Sequence, residues 1–436
     1  MPAFPRSRPW TRSGLRTRFS LRGAGFLVGG AVFIGYAVLN DVSELLFVGW
    51  LLAALPIVAL ASAILRPVRV QVTRRFTPDI PEAGTSTRVV VTVRNLSSRP
   101  LAVAGWRDST PPQLAARSGG AMPVLSGVAG GRNDTAVIDY VLVPGRRGVY
   151  PVGPLLLLMT DPFGLASCER PVGGTTDLIV TPRVTPLPGR RSGFARSEGD
   201  VHELLRQSNA DSEELIAREY RPGDPVRRVN WPATARRGDI MVRQEEQGGS
   251  PEAVLILDTA LAGRGRGRDR DDPAFEVAVE LAASIGVHLV SGAFRVHLIE
   301  LGASQLAVGE PRGGSGAGVF GPPSGDRVLL ERLASLVPAA ATPVDERWRG
   351  RGLYSSRMPA FAILVDIDDD DAAFVGALRS RYDPVVAFVL DTMAASRVAA
   401  LGEAGWRCIP VRSARDIAEA WSAGQQSMYG GVDVSR

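Results

Sequence analysis

The 436-residue sequence contains no lysine, so all 50 of its basic residues are arginine. Three classes of chemistry go with it. A P-loop lacks the Lys that reaches the phosphates, a pyridoxal enzyme lacks its Schiff-base Lys, and a protein kinase lacks its nucleotide Lys. Histidine is nearly as scarce. His202, His288 and His297 are the only three, and no H-E-x-x-H or G-x-S-x-G string occurs, so zincins and nucleophile-elbow hydrolases are unsupported. The two cysteines, Cys168 and Cys408, stand 240 positions apart with no C-x-x-C pair. That spacing suggests no disulfide framework and agrees with a reducing compartment.

The formal charge of +5 and the pI near 9.6 raise the question of nucleic acid. Distribution answers it. Ten Arg and only two acids fall in residues 1–75, which leaves 40 Arg against 43 acids in everything after. A nucleic-acid surface needs concentrated basic charge to neutralise phosphates, and the bulk of the chain has none to spare. The expectation is no nucleic-acid partner.

Two apolar runs near the N-terminus are uncharged and long enough to cross a bilayer. Ala24–Asn40 has 17 residues and Leu45–Leu65 has 21, about 25 and 31 Å as helices. Asp41, Val42, Ser43 and Glu44 between them are enough for a helical hairpin. Arg6, Arg8, Arg12, Arg16, Arg18 and Arg22 precede the first run, and Arg66, Arg69, Arg74 and Arg75 follow the second. By the positive-inside rule both flanks, and with them both termini, are expected in the cytoplasm of a cell-membrane protein. A cleaved secretory signal is the competing reading. The A-x-A string at Ala59–Ala61 lies inside the second run, however, behind a span that a signal peptide would not have.

From Val68 to about Pro182 short strand patterns alternate with Gly, Pro, Asn and Ser, which predicts a small β-sandwich. Asp161-Pro162-Phe163-Gly164 has turn chemistry, and Phe163 is expected to tuck under the sheet. Further on, Val254–Leu257 and Phe361–Val365 read as buried strands ending in Asp258 and Asp366. Helical patterns at Pro273–Ser291, Arg327–Val337 and Ala372–Arg381 alternate with strands, which predicts a doubly wound, mostly parallel α/β sheet. Residues 309–326 read as a flexible Gly-rich loop. Its formal G-x-G-x-x-G is followed by Pro322-Pro323 where a dinucleotide site needs a helix.

Between the two patterns lies the densest constellation in the chain, REYRPGDPVRRVNWPATARRGDIMVRQEE, from Arg218 to Glu246. Interleaved Arg, carboxylates and aromatics form either a solvated loop or a network of paired and stacked guanidinia. With the DPFGL turn and the strand ending in Asp258, this string resembles the domain-of-unknown-function family number 58. The family's R-x-Y-x-x-G-D motif, with an Arg and a Trp after it, falls on Arg218, Tyr220, Gly223, Asp224, Arg228 and Trp231, followed by Ala235 and Arg236.

The resemblance implies an N-terminal membrane hairpin, a β-sandwich, the motif, and a von Willebrand factor A-like domain. It divides the chain into an Arg-rich N-terminus (1–23), the hairpin (24–65), the sandwich (66–185), motif and linker (186–250), the A-like domain (251–423) and a tail (424–436). It also implies association with a MoxR-type AAA+ ATPase that assembles or remodels other proteins. The A-like superfamily holds Mg²⁺ with D-x-S-x-S, whereas this chain has Asp258-Thr259-Ala260-Leu261-Ala262. Asp258 and Asp366 alone leave a hard cation short of the oxygens it prefers. No cofactor is therefore expected, with Mg²⁺ the only candidate.

Two functions are in contention: a non-enzymatic, membrane-tethered interaction module, and a divalent-metal hydrolase using Asp258 and Asp366. The polar inventory favours the first. Within it, the motif is expected to be a structural brace with Trp231 buried and Arg228 and Arg236 paired to Asp224 or other carboxylates. A surface recognition motif is the alternative.

Overall fold

A computed structural model describes residues 16–127, 133–188, 217–220, 229, 231–243, 251–260, 272–303, 305, 318–339 and 358–429. The chain divides into two compact units, one running to Thr181 and the other from Pro182 onward.

The first unit opens with strand β1 (Arg16–Phe19) and two helices, α1 (Leu21–Leu39) and α2 (Ser43–Leu65). Ser20 caps α1 by accepting the Gly23 N–H at 3.0 Å, so the helix begins three residues before the apolar run read from sequence. Both helices are long and apolar enough to cross a membrane. Small residues let them meet. A Cβ placed on Gly30 would lie 2.8 Å from the Gly49 carbonyl, and one on Gly49 would lie 2.6 Å from Ile34 Cγ1. Away from that seam Val28, Val32, Phe47, Trp50, Ile57 and Val58 are exposed, an arrangement that water would penalise and lipid would not.

Ten more strands follow: β2 (Val70–Thr77), β3 (Thr87–Asn95), β4 (Gly105–Asp108), β5 (Leu114–Ala116), β6 (Gly119–Gly120), β7 (Thr135–Pro144), β8 (Gly148–Val152), β9 (Leu155–Thr160), β10 (Ala166–Val172) and β11 (Thr176–Val180). They form an antiparallel sheet of order β2-β3-β7-β5, another of order β1-β10-β9-β4-β6, and the pair β11-β8. Period-two alternation sets the faces. In β7, Ala136, Ile138, Tyr140 and Leu142 are buried while Thr135, Val137, Asp139 and Val141 are exposed. Val89, Val91 and Val93 of β3 share one core with Leu155, Leu157 and Met159 of β9, so the larger sheets bury their inner faces together.

Three sequence expectations change here. Arg16–Phe19, read as charged flank, pairs with β10 in the register Arg16↔Glu169 to Phe19↔Ala166. Arg74, counted among the membrane-flanking arginines, is buried and forms a bidentate pair with Asp108 at 2.8 and 2.9 Å. Phe163 does not tuck under the sheet and is 70% exposed. The reason lies in the turn: the Asp161 carboxylate turns inward to accept N–H groups from Phe163 at 2.8 Å and Ala166 at 2.7 Å, while Gly164 supplies φ +68°. Phe163 is left projecting.

In the second unit the central sheet has six strands in the order β16-β15-β14-β17-β18-β19. These are β14 (Glu252–Leu257), β15 (Arg295–Glu300), β16 (Gly318–Phe320), β17 (Met358–Leu364), β18 (Tyr382–Leu390) and β19 (Arg407–Val411). Neighbours pair in parallel except β16, an antiparallel edge. That edge occupies part of the segment read as a Gly-rich loop, and Val319 and Phe320 pair with His297 and Val296.

Helices cover both faces. Pro273–Ser291, Gly325–Ser335 and Ile417–Tyr429 pack against Leu255, Leu257 and Phe388 on one side. Asp369–Leu378 and Ala395–Glu403 pack against Val254, Ile256 and Ala362 on the other. Pro273–Ser291 is also apolar and long enough to span a membrane, but most of it is buried in this core. Its start was legible: Asp272 caps it by accepting the Ala274 N–H, with Pro273 in the first turn.

Candidate functional site

The motif region forms a small hairpin and helix. Strand β12 (Ala217–Glu219) pairs antiparallel with β13 (Met241–Arg243), placing Arg218 opposite Val242. The ladder continues through the Tyr220 N–H to the Ile240 carbonyl at 2.8 Å, and Val229 bridges to Val242. Between them, helix α3 (Trp231–Arg237) carries Pro232 in its first turn, where the missing N–H costs nothing. It stops at Gly238, whose φ of +84° lets its N–H return to the Thr234 carbonyl, and the Thr234 hydroxyl accepts the Met241 N–H at 3.0 Å.

Met241 and Val242 are buried, whereas Tyr220, Ile240 and the two arginines closing α3, Arg236 and Arg237, are exposed. Trp231 is 65% exposed. The expectation that it is buried is thereby corrected. Composition predicted a stacked network, but the short helix presents its first residue outward, and the buried side chains of β13 are the aliphatic Met241 and Val242. Gly223, Asp224 and Arg228 lie outside the described residues, so the expected pairing of Arg228 and Asp224 falls there too.

The second candidate sits at the C-terminal ends of β14 and β17, the usual ligand position of an open α/β sheet. Asp258 is fully buried. One carboxylate oxygen accepts the Ala260 N–H at 3.1 Å, and the other accepts the N–H groups of Val365 and Asp366, each at 2.9 Å. Thr259 is equally engaged: its hydroxyl accepts the Gly302 N–H at 3.0 Å and its carbonyl the Ala339 N–H at 2.8 Å.

Asp366 points elsewhere, to Arg397, whose guanidinium lies 3.1 Å from it and 3.2 Å from Asp369. The acidic run after Asp366 serves the next helix: Asp368 caps it by accepting the Asp371 N–H at 2.7 Å, with acids in its first turn. The two aspartates are thus near in the backbone but not joined as a ligand pair. Among the described residues these two carboxylates make a poor pair for a divalent cation, since one already accepts three amide N–H groups and the other faces a fixed positive charge. Among the described residues no three His, Cys, Asp or Glu side chains converge as metal ligands. Arg397 escaped sequence reading because nothing local ties it to an aspartate 31 residues earlier.

Against known proteins, the family described as "Protein of unknown function DUF58" matches residues 216–317. Over that stretch, about a quarter of its length, the chain is similar to the DUF58 family. The DUF58 match takes in the β12–α3–β13 unit, β14 with Asp258, helix Pro273–Ser291 and β15.

Among solved structures, the chain is similar to a von Willebrand factor type A protein from Catenulispora acidiphila. Identity is 15% over 43% of this chain and 44% of that one, at a TM-score of 0.27, so the chain spans less than half of that protein's length. A second similarity is to a GH20 exo-β-N-acetylglucosaminidase from Vibrio harveyi, crystallised with N-acetylglucosamine: 8% identity, 83% of this chain, 74% of that one, TM-score 0.15. Both scores fall below the level of a shared fold. No curated protein matches the chain.

Proposed function

We propose that the protein is a non-enzymatic, membrane-tethered interaction module whose DUF58 motif is the surface that holds its partner. The observation that carries this reading is the exposure of Trp231. A Trp offers about 150–250 Å² of mostly apolar surface, and Trp and Arg are the residues that most often dominate binding interfaces. Here Trp231 stands at the head of a short helix that ends in exposed Arg236 and Arg237, on a hairpin that also exposes Tyr220.

In this reading α1 and α2 insert in the cell membrane, and the arginine-rich flanks keep both termini in the cytoplasm. The α/β unit is von Willebrand factor A-like and non-catalytic. Its sheet end is closed by hydrogen bonds to Asp258 and by the Arg397–Asp366 pair, which supports a scaffold without a metal cofactor over the hydrolase alternative. The resemblance to DUF58 proteins makes a MoxR-type AAA+ ATPase the partner of choice.

The test is affinity purification of the tagged full-length chain from membranes in mild detergent, with mass spectrometry of what co-purifies. Wild-type protein should bring down a MoxR-type ATPase, and Trp231→Ala should not. Recovery of the same partners by both would remove the motif from the binding role.

A further inference from the structure

We propose that the Asp161–Leu165 turn is a second, shallow membrane anchor, with Phe163 inserted in the lipid interface beside the base of the helical hairpin. The proposal rests on the reading of α1 and α2 as membrane-embedded.

Position is the first argument. Leu165 and Ala166 form a buried cluster with Ala59 of α2, and Leu55 and Leu60 pack against it. On the other helix the Ser20 N–H donates to the Leu165 carbonyl at 2.8 Å, and a Cβ on Gly23 would overlap that same carbonyl. The Arg170 guanidinium then donates to the carbonyls of Ile64 and Arg66, satisfying the end of α2. The turn is therefore fixed to the hairpin. Ala59 lies six residues before the end of α2, which puts the turn about 9 Å up the side of the helix from its terminus. With 23 residues α2 is about 34 Å long, against a hydrocarbon core of about 30 Å, so the level of Ala59 falls within the core's edge.

Chemistry is the second argument. Irregular backbone survives at membrane depth only when its polar groups are satisfied within the protein. The donors at 163, 164 and 166 meet that condition: the N–H groups of Phe163 and Ala166 go to the Asp161 carboxylate, that of Gly164 to the Asp161 carbonyl at 3.1 Å, and Pro162 has none. Asp161 itself is buried, so the turn presents no charge outward. What it presents is Phe163, with Phe19 paired beside it opposite Ala166 and Leu21 exposed at the start of α1. Arg18 and Arg22, also exposed, alternate with them, the mixture of apolar side chains and cations that suits an anionic headgroup layer. Because the exposed apolar surface of the hairpin continues into these side chains, the occupant is the same bilayer rather than a protein.

The experiment uses the full chain with Cys408→Ala, in which the buried Cys168 stays unlabelled. An environment-sensitive fluorophore is placed on Phe163→Cys, on Trp50→Cys in α2, or on Ser396→Cys in the α/β unit. Each protein is reconstituted in phosphatidylcholine–phosphatidylglycerol vesicles with or without lipids carrying a nitroxide near the glycerol backbone. The labels at 50 and 163 should both shift to the blue and lose most of their emission to the nitroxide lipid, while the label at 396 responds only to a water-soluble nitroxide. If position 50 is quenched by lipid and 163 behaves like 396, the turn is not an anchor and the hairpin reading stands. If position 50 is also unquenched, the hairpin reading fails and the turn proposal falls with it.

Discussion

Replacing Asp108 by Ala should be the most damaging single change in the first unit. The Asp108 carboxylate accepts both Nε and Nη2 of Arg74, at 2.9 and 2.8 Å, and the Tyr140 hydroxyl at 2.7 Å, and its side chain and that of Arg74 are essentially inaccessible. The remaining Arg74 nitrogen, Nη1, donates to the Gly174 carbonyl at 2.7 Å. The group joins β2, β4 and β7 with the β10–β11 loop, and burial together with the Asp108 charge pushes the Tyr140 phenol well above its ordinary pKa. The cost of the substitution is set less by the bonds lost than by the guanidinium left behind. A buried charge deprived of its partner costs about 3–5 kcal/mol, against a total stability of about 5–15 kcal/mol for a domain.

At about 2–4 °C per kcal/mol for a domain of this size, the expected fall in Tm is roughly 6–20 °C. The assay uses Cys168, which is fully buried in β10. With Cys408→Ala in the detergent-solubilised full chain, the onset of thiol reactivity on heating reports the unfolding of this unit alone. Adding Arg74→Met and Asp108→Leu together should recover much of the loss, because an apolar pair strands no charge. A shift of a degree or two for Asp108→Ala would refute the reasoning, as water or another residue would then be compensating Arg74.

Three further outcomes are expected. Asp258→Ala should destabilise the α/β unit by roughly 3 kcal/mol or more, since the amides of Ala260, Val365 and Asp366 lose their acceptor, and Mg²⁺ should leave the melting curve of the wild type unmoved. A Mg²⁺-dependent rise in Tm abolished by this substitution would revive the metal site. Burial lowers the pKa of both His288 and His297 below the usual 6.5, so each takes up its proton more readily when unfolded. Stability of the α/β unit should therefore be complete above about pH 7 and fall as pH drops through 6.5, by up to about 1.4 kcal/mol per pH unit for each histidine. Thermal melts at pH 7.5 and 5.5 check this, and His297→Gln should flatten the dependence. Gly49→Leu should separate α1 from α2 at a cost of about 1–3 kcal/mol, read by earlier exposure of Cys168, because a Cβ there already crowds Ile34 and the Gly30 carbonyl.

Much of the secondary structure was legible wherever one residue period dominates. Thr135–Pro144 is rich in β-branched residues and alternates exposed and buried positions without a break, and Val254–Leu257 and Phe361–Val365 are continuous apolar runs ended by an acid, as strands buried on both faces must be. What could not be read depends on partners distant in sequence. Arg74 resembled every other flanking arginine until Asp108 was found beside it, and Arg16–Phe19 resembled charged flank until β10 paired with it. Phe163 was misplaced because an apolar residue in a turn suggests burial, whereas here the inward direction is taken by Asp161. Gly318–Phe320 is too short and Gly-rich for its period to register. At the candidate site, the motif's aromatics were visible in sequence but their exposure was not, because composition does not say which side chain faces inward.

The central claim is that the DUF58 motif is an exposed partner-binding surface, and Trp231→Ala tests it most directly when stability and binding are measured on the same preparation. Loss of a Trp that is 65% exposed should leave the Tm of the full-length protein within a degree or two. Retention of the purified MoxR-type ATPase on the immobilised variant should nevertheless fall at least about tenfold, the loss expected for a hot-spot aromatic. A fall of several degrees in Tm, or undiminished retention of the ATPase, would contradict the account.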